Sequence, residues 1–277
     1  MTESPVEPLP PRSRRSRHPS GARTATIVGA GLVIAVALVV LAVNLFGSSG
    51  PNAPVAAATT TTEATTTTTV PPPPPSPVPA STTIATVSGP LPFSAQPGGP
   101  PVGTIPVGSW WGTVKQLPVV TTADGWLQVR LPQRPNGLTG WIPATSATLS
   151  VTTYGILVDV TNRRVRLYDS GQVVADFPAG VGTADDPTPL GQFYVMVVEK
   201  PPSAGYAPFV MGTNAHSEAI QSWEGSGDAF TALHGPLGMD AAIGTTGAAI
   251  SHGCVRMHSA DLAQLAAVPL GAPVVII

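Results

Sequence analysis

The chain has 277 residues and a formal net charge of −2, so it is long enough for two small domains. Beyond residue 46 its only lysines are Lys115 and Lys200, and this part of the chain lacks the basic patch that nucleic-acid binding requires. It contains a single cysteine, Cys254, so no intramolecular disulfide can form. A lone thiol is either a buried apolar side chain or a reactive group, and only its neighbours can distinguish the two.

The beginning of the chain predicts a membrane anchor. Residues 1–23 are a basic tail with five arginines, and residues 24–46 contain no charged side chain. A helix of that length reaches about 34 Å, enough for a hydrocarbon core of about 30 Å. Arginine before the span predicts that the tail stays in the cytoplasm and the rest is exported. The alternative is a signal peptide cleaved near residues 56–58, but the apolar run is longer than a usual signal-peptide core.

Residues 47–82 are dominated by Thr, Pro and Ala and predict an extended linker that cannot form a core. In polyproline geometry, at about 3.1 Å per residue, it would reach on the order of 100 Å.

Residues 83–150 contain short β-prone pieces separated by Gly and Pro, which predict a small barrel. The sequences Asp124-Gly125-Trp126-Leu127-Gln128-Val129 and Gly140-Trp141-Ile142-Pro143 resemble the bacterial SH3 domain. Four tryptophans either fill a minor core or contact a ligand; they are Trp110, Trp111, Trp126 and Trp141.

Residues 151–277 predict a second β-rich domain with a minor helical part, so the fold class is mainly β. The predicted strands are Gly155–Val160, Arg163–Tyr168, Val173–Phe177, Leu190–Val198 and Pro273–Ile277. Between them, Glu199–Asp228 is rich in Pro, Gly and Ser and predicts a long connection of the kind that is functional or mobile. It holds Tyr206, Phe209, Met211 and Trp223, which makes it a candidate lid. A short helix is predicted with Ser259 as its cap and Asp261 in its first turn.

The chemistry predicted from the residues centres on Cys254. A cysteine is a good nucleophile only as its thiolate, so it needs a base or a cation nearby. His252 and His234 are both candidates, and spacing does not choose between them. Gly253 leaves room for a substrate carbonyl, and the backbone amides of Gly253 and Cys254 could form an oxyanion hole.

The segment from about Thr152 to Ile277 resembles the L,D-transpeptidase catalytic domain, also called YkuD-like. The resemblance is carried by Leu233-His234-Gly235 and by Ser251-His252-Gly253-Cys254-Val255-Arg256. It implies that Cys254 attacks, that His234 is the base with its tautomer held by the carbonyl of Gly235, and that His252 lines the same site. The candidate substrate-binding residues around this motif are Ser251, Gly253, Arg256 and Gly235. The candidate lid adds Tyr206, Phe209 and Met211, independently of the resemblance.

The resemblance further implies acyl transfer on peptidoglycan stem peptides, giving 3→3 cross-links without a cofactor or metal. Carbapenems would be inhibitors. The chain would be a single-pass protein of the bacterial cell membrane with its catalytic domain on the wall side. Alternatives are an L,D-carboxypeptidase, attachment of another protein to the wall, a sortase, a papain-like peptidase or a non-catalytic wall-binding protein.

Four further sites receive weaker predictions. Thr188-Pro189-Leu190-Gly191 is interpreted as a structural turn, and Arg256 could instead form a structural salt bridge. His216 is predicted to be an exposed loop residue or, as the alternative, a substrate contact. His258 is predicted to lie where the short helix begins.

Overall fold

A computed structural model describes residues 76–277 except 107, 110, 111, 114, 224, 246 and 247. The side chains of residues 109, 112 and 113 are also outside the description. The basic tail, the anchor, most of the linker and two tryptophans, Trp110 and Trp111, therefore lie outside the described residues. Within the described part of the chain, no helix is long and apolar enough to cross a membrane.

The first half of the described chain forms a seven-stranded sheet, called here the N-terminal sheet, with strand order β3-β2-β8-β7-β6-β1-β9. Its strands are joined by antiparallel pairing. The strands in this half are β1 Thr82–Thr86, β2 Leu91–Ser94, β3 Pro101–Ile105, β4 Gly108–Ser109, β5 Gly112–Thr113, β6 Gln116–Ala123, β7 Trp126–Arg130, β8 Thr139–Pro143 and β9 Thr148–Thr152. The assignment of residues 83–150 to an SH3-like barrel stays a prediction.

The second half forms an eight-stranded sheet, the C-terminal sheet, with order β12-β11-β10-β19-β14-β15-β16-β18. Its elements, with two short strands that pair separately, are β10 Tyr154–Asp159, β11 Arg164–Asp169, β12 Gln172–Pro178, β13 Val181–Gly182, β14 Gly191–Glu199, β15 Val210–His216, β16 Phe230–His234, β17 Ala249–Ser251, β18 Val255–Arg256, helix α1 Ser259–Ala263 and β19 Pro273–Ile276. The mainly β class with a minor helical part is confirmed.

Strand β14 is covered on both faces because alternate side chains enter different cores. Phe193 and Val195 join the cluster that also contains Leu262 and Leu265 from the helical segment. Tyr194 and Met196 join a cluster built mainly by the N-terminal sheet. The two sheets are therefore joined through β14, and both belong to one compact unit. Val78, in the predicted linker, is also buried, packing with Leu157, Tyr168 and Val275.

The prediction of an irregular connection over Glu199–Asp228 is wrong in its middle part. Strand β15 crosses it, pairs with β14 and β16, and is buried along its whole length. Its polar side chains have hydrogen-bond partners distant in the sequence; Thr213, for example, donates to the carbonyl of Thr231 over 2.8 Å. His216, at the end of β15, is 1% exposed, so it is not an exposed loop residue.

The short helix begins one residue earlier than predicted. His258 is its N-cap, so Ser259 is the first helical residue, not the cap. His258 therefore lies where the helix begins, as predicted, and Asp261 is in the first turn. The helix continues as a 3-10 turn over Gln264–Ala267, and the chain ends in the predicted closing strand β19.

Candidate active site

Two neighbouring parallel strands place His234 and Cys254 at the same cavity. In β16 and β18, Leu233 pairs with Val255 and His234 pairs with Arg256. Leu233 and Val255 are fully buried in the core. Because successive side chains of a strand point to opposite faces, His234, Cys254 and Arg256 lie on the other face. All three line one cavity of about 780 Å³.

The imidazole of His234 is buried and held by its own strand end. Its Nδ1 atom lies 2.7 Å from the carbonyl oxygen of Gly235, so Nδ1 carries the hydrogen and Nε2 is the basic nitrogen. The ring of Tyr206 lies 4.7 Å from the imidazole, centroid to centroid. Burial lowers the pKa of His234 to about 4; the bond to Gly235 opposes this shift and the charge of Arg256 adds to it. The ring is therefore neutral near pH 7.

The thiol of Cys254 is protonated in the same environment. Burial raises its pKa above the ordinary value, although a backbone hydrogen bond with Ala232 and the positive charge of Arg256 act in the other direction. A neutral imidazole and a neutral thiol thus face one cavity. Such a pair can react when the imidazole takes the thiol proton as the sulfur attacks.

The turn that carries Cys254 is fixed by two hydroxyl groups. Ser251 is buried; its Oγ donates to the carbonyl of Cys254 and accepts from the amide of Gly253 at 3.2 Å. Thr188 Oγ1 accepts from the amide of Gly182 and donates to the carbonyl of Gly253, both over 2.9 Å. Thr188 is thus a structural residue, as its motif predicts. The Gly253 amide, one of the two predicted oxyanion donors, already has an acceptor.

Two positions of this region require glycine. Gly253 has φ +107°, a left-handed conformation that other residues rarely adopt. A Cβ at Gly235 would lie 2.5 Å from the carbonyl oxygen of Ala207. The absence of a side chain at Gly235 therefore lets the 3-10 turn Ala204–Tyr206 close against the end of β16, where the Gly235 amide donates to Tyr206.

His252 occupies a different position from His234. Its side chain is 63% exposed and its Nε2 is 3.9 Å from a carboxylate oxygen of Asp186. Its ring centroid lies 5.9 Å from that of Trp223, and both residues line the cavity. His252 is therefore at the rim, where it can contact a ligand, whereas the buried, tautomer-fixed His234 is better placed to act as the base.

Arg256 lies within the cavity lining and pairs its backbone with Gly180 in both directions at 2.8 Å. Its Nε is buried without a hydrogen-bond partner, and among the described residues its guanidinium forms no salt bridge. The alternative structural ion pair is thus not observed. The guanidinium supplies positive charge beside Cys254 and His234.

The residues predicted from the candidate lid separate in the structure. Tyr206 lines the cavity, but Met211 is buried in the core of the C-terminal sheet and Phe209 packs against that core. Sequence reasoning missed Thr231 and Ala232, which line the cavity from β16. Ala232 alternates with His234 around buried Leu233, a signal that a strand ending in His234 could have supplied.

The structure thus defines a mainly β protein with one thiol and one buried imidazole at a common cavity. Residues 153–276 match the YkuD family model, described as the L,D-transpeptidase catalytic domain. The YkuD proteins of Bacillus licheniformis and Bacillus subtilis are similar to the chain. They are 32% identical over 115 residues and 28% identical over 124 residues. These matches cover 42% and 44% of this chain, and 59% and 65% of the two relatives.

Solved L,D-transpeptidase structures show weaker likeness. One from Mycobacterium smegmatis is 18% identical with a TM-score of 0.34, covering 56% of this chain and 68% of that chain. The L,D-transpeptidase LdtMt1 in complex with imipenem is 19% identical with a TM-score of 0.36, covering 60% and 74%. A C442S mutant of the Enterococcus faecium enzyme is 17% identical with a TM-score of 0.38, covering 70% and 76%.

Proposed function

We propose that this protein is a cell-wall L,D-transpeptidase that forms 3→3 cross-links between peptidoglycan stem peptides. The observation that carries the proposal is the pairing of β16 with β18, which brings a neutral, tautomer-fixed His234 and the only cysteine, Cys254, to one cavity. The match of residues 153–276 to the L,D-transpeptidase catalytic domain supports the same reaction class.

In the proposed reaction, Cys254 attacks the carbonyl of the diamino acid at the third position of a donor stem. His234 Nε2 takes the thiol proton and returns it to the leaving amine, the terminal D-Ala, so that a thioester remains on Cys254. A side-chain amine of a neighbouring stem then attacks the thioester. His234 accepts the proton of that amine and passes it to the departing sulfur, so that the amide forms, the thioester bond breaks and the Cys254 thiol is restored. The exchange conserves all atoms and needs no cofactor or metal.

The outcome of the second step separates related functions. If water attacks the thioester, the protein is an L,D-carboxypeptidase; if a protein amine attacks it, the product is a protein bound to the wall. We propose transfer to a stem peptide because the cavity of about 780 Å³, with Trp223, Tyr206 and Ile220 in its lining, has room for a second peptide beside the donor. The predicted anchor would hold the protein in the cell membrane with this domain on the wall side.

Defined muropeptides test the proposal. Purified protein is incubated with a stem tetrapeptide donor and an acceptor stem, and products are identified by mass spectrometry, with C254A as the control. Cross-linked dimer carrying a 3→3 bond is expected. Donor lacking D-Ala without dimer would indicate the carboxypeptidase, and unaltered donor with wild-type protein would refute catalysis and favour a wall-binding protein.

A carbapenem is a second reagent for the same thiol. We propose that it acylates Cys254, because its strained amide carbonyl is open to thiol attack.

A further inference from the structure

One wall of the cavity is a loop, residues 217–228, that joins β15 to β16. Ser217, Ile220 and Trp223 of this loop line the cavity, and the Trp223 ring lies 5.9 Å from that of His252. The loop is closed at its base by the Ser217 amide, which donates to the carbonyl of Ala229 over 2.8 Å. Bonds within the loop support it further, such as that from the Trp223 amide to the carbonyl of Asp228 over 2.9 Å, and the N-terminal sheet adds the contacts of Arg134.

Arg134, in the connection between β7 and β8 of the N-terminal sheet, contacts the loop in three places. Its guanidinium donates to the carbonyls of Ser217 and Ile220 at 2.8 and 3.4 Å and from Nε to Asp228 Oδ1 at 3.0 Å. Two of these partners lie within the first four residues of the loop, and the third is its last residue. A planar guanidinium presents its donors from separate nitrogens in a fixed fork, whereas the three donors of an ammonium group leave one nitrogen and fit such spread acceptors less well.

Neighbouring residues of the same connection fasten the end of β15. The side chain of Asn136 pairs with both the amide and the carbonyl of His216 at 2.8 Å. The His216 ring contacts the carbonyl oxygen of Pro132 through Nε2 at 2.8 Å and Asp228 Oδ2 through Nδ1 at 2.9 Å. Each ring nitrogen therefore faces an acceptor oxygen, one from each side of the boundary between the two sheets.

The carboxylate of Asp228 is the centre of this arrangement. Burial acts to raise its pKa, but hydrogen bonds from His216, the Ala229 amide and Arg134 hold the pKa below its ordinary value. Asp228 therefore stays ionised at neutral pH, and its two oxygens bind Arg134 and His216 separately. Charged hydrogen bonds of this kind are stronger and more directional than neutral ones.

We infer that Arg134 is a positioning residue of the active site: the N-terminal sheet sets the shape of the cavity wall through Arg134 and so determines the affinity for the donor peptide. Arg134 does not line the cavity and acts through the loop. This inference rests on the proposed function for the identity of the ligand, but the clamp itself is independent of it. Arg130 offers a matched control, because it also bonds the C-terminal sheet, through Gln192, but Gln192 does not line the cavity.

The test uses the full chain in detergent micelles, as wild type, R134A, R134K and R130A. Hydrogen–deuterium exchange at residues 217–228 should become faster in R134A and partly recover in R134K. Donor KM should rise on the order of tenfold in R134A with kcat changed far less, because a misplaced wall weakens binding before it alters the reacting groups. Alkylation of Cys254 by iodoacetamide should stay within about twofold of wild type. R130A should match wild type in all three measurements.

The outcomes distinguish the inference from the proposed function. Unchanged exchange in a folded R134A variant overturns the clamp, and faster exchange with an unchanged donor KM overturns its role in donor binding. If wild-type protein turns over no stem peptide, the proposed function fails, and the exchange comparison alone decides the clamp. If R134A does not fold, R134K, which keeps the charge but not the three-way contact, replaces it with the same expected direction.

Discussion

The 2.7 Å hydrogen bond from His234 Nδ1 to the carbonyl oxygen of Gly235 fixes which nitrogen of the imidazole can accept a proton. A carbonyl oxygen only accepts, so Nδ1 is the donor and Nε2 is left as the base. The same burial that lowers the pKa of His234 raises that of Cys254. The resting pair is therefore neutral, and the thiolate forms as the base takes its proton, not in advance.

The first prediction concerns the choice of base. H234A should lower the rate of Cys254 acylation by about 10² to 10⁴, the usual contribution of a general base, whereas H252A, at the exposed rim, should lower it less than tenfold. In wild-type protein the acid limb of the rate should lie near pH 4, not near 6.5, because the neutral imidazole persists to about that pH. Stopped-flow acylation across pH 4 to 8 measures both. A larger loss in H252A would reverse the assignment.

The second prediction concerns how the lowered pKa of His234 affects the free energy of unfolding. His234 titrates at about 4 when folded and at 6.5 in its ordinary state, so between these values only the unfolded chain binds the proton. Stability is therefore lost as pH falls from about 6.5 to 4. Over 2.5 units the loss is on the order of 3 kcal/mol. Urea unfolding at pH 7 and pH 4.5 should show a smaller pH effect for H234N than for wild type. An equal effect would mean that His234 is not held neutral.

The third prediction uses the lone thiol as its own control. A carbapenem should add its mass once to wild-type protein and not at all to C254A, since no other cysteine is present in the chain. The smaller alanine should leave the fold intact, which circular dichroism would check. Intact-protein mass spectrometry reads the adduct directly. An adduct on folded C254A would place the nucleophile elsewhere.

A fourth prediction tests the hydroxyl that supports the catalytic turn. T188V removes the bonds to Gly182 and Gly253 and leaves their backbone groups buried, so it should destabilise the protein by about 1 to 3 kcal/mol. Acylation should slow because the Gly253 turn loosens. T183V is the matched control, as the Thr183 hydroxyl accepts only from the Asp186 amide at 3.2 Å in a more open position. Equal stability and rates in the two variants would contradict this role of Thr188.

The fifth prediction concerns the close approach at Gly235. G235A would place a Cβ 2.5 Å from the carbonyl oxygen of Ala207, so the turn carrying Tyr206 must move. We expect a cost of about 1 to 3 kcal/mol, the usual effect of overpacking, and a loss of the Tyr206 contact with His234. G89A has open space around it and serves as the control. A thermal shift of equal size in both variants would show that the approach is not restrictive.

Much of the fold could be predicted from the sequence where strands alternate in a regular way. Strands β10, β11 and β19 begin and end within a residue of their predicted positions, since apolar residues and turn signals mark them clearly. The site motif around Cys254 was also visible, because its chemistry lies in contiguous residues. Both the bounds of regular strands and the motif around Cys254 can therefore be recognised from residues that are adjacent in the sequence.

Strand β15 could not be predicted in this way. Its polar residues have partners far along the chain: Asn214 accepts from the Tyr194 amide and donates to the carbonyl of Leu131, at 2.9 and 3.1 Å. Only these distant partners make burial of such a strand favourable, and no local pattern reveals them. The roles of His216 and Arg134 were missed for the same reason, because both depend on contacts between the two sheets.

The position of β19 has a consequence for how the chain acquires its structure. This strand lies between β10 and β14 in the sheet, yet the end of β10 at residue 159 and the start of β19 at residue 273 are 114 apart in sequence. Until β19 is in place, both neighbouring strands expose backbone donors and acceptors along their edges. The C-terminal sheet therefore cannot be completed before a long-range pairing forms, and such pairings slow folding. Until then, partly synthesised chains are open to proteolysis and to pairing with other chains.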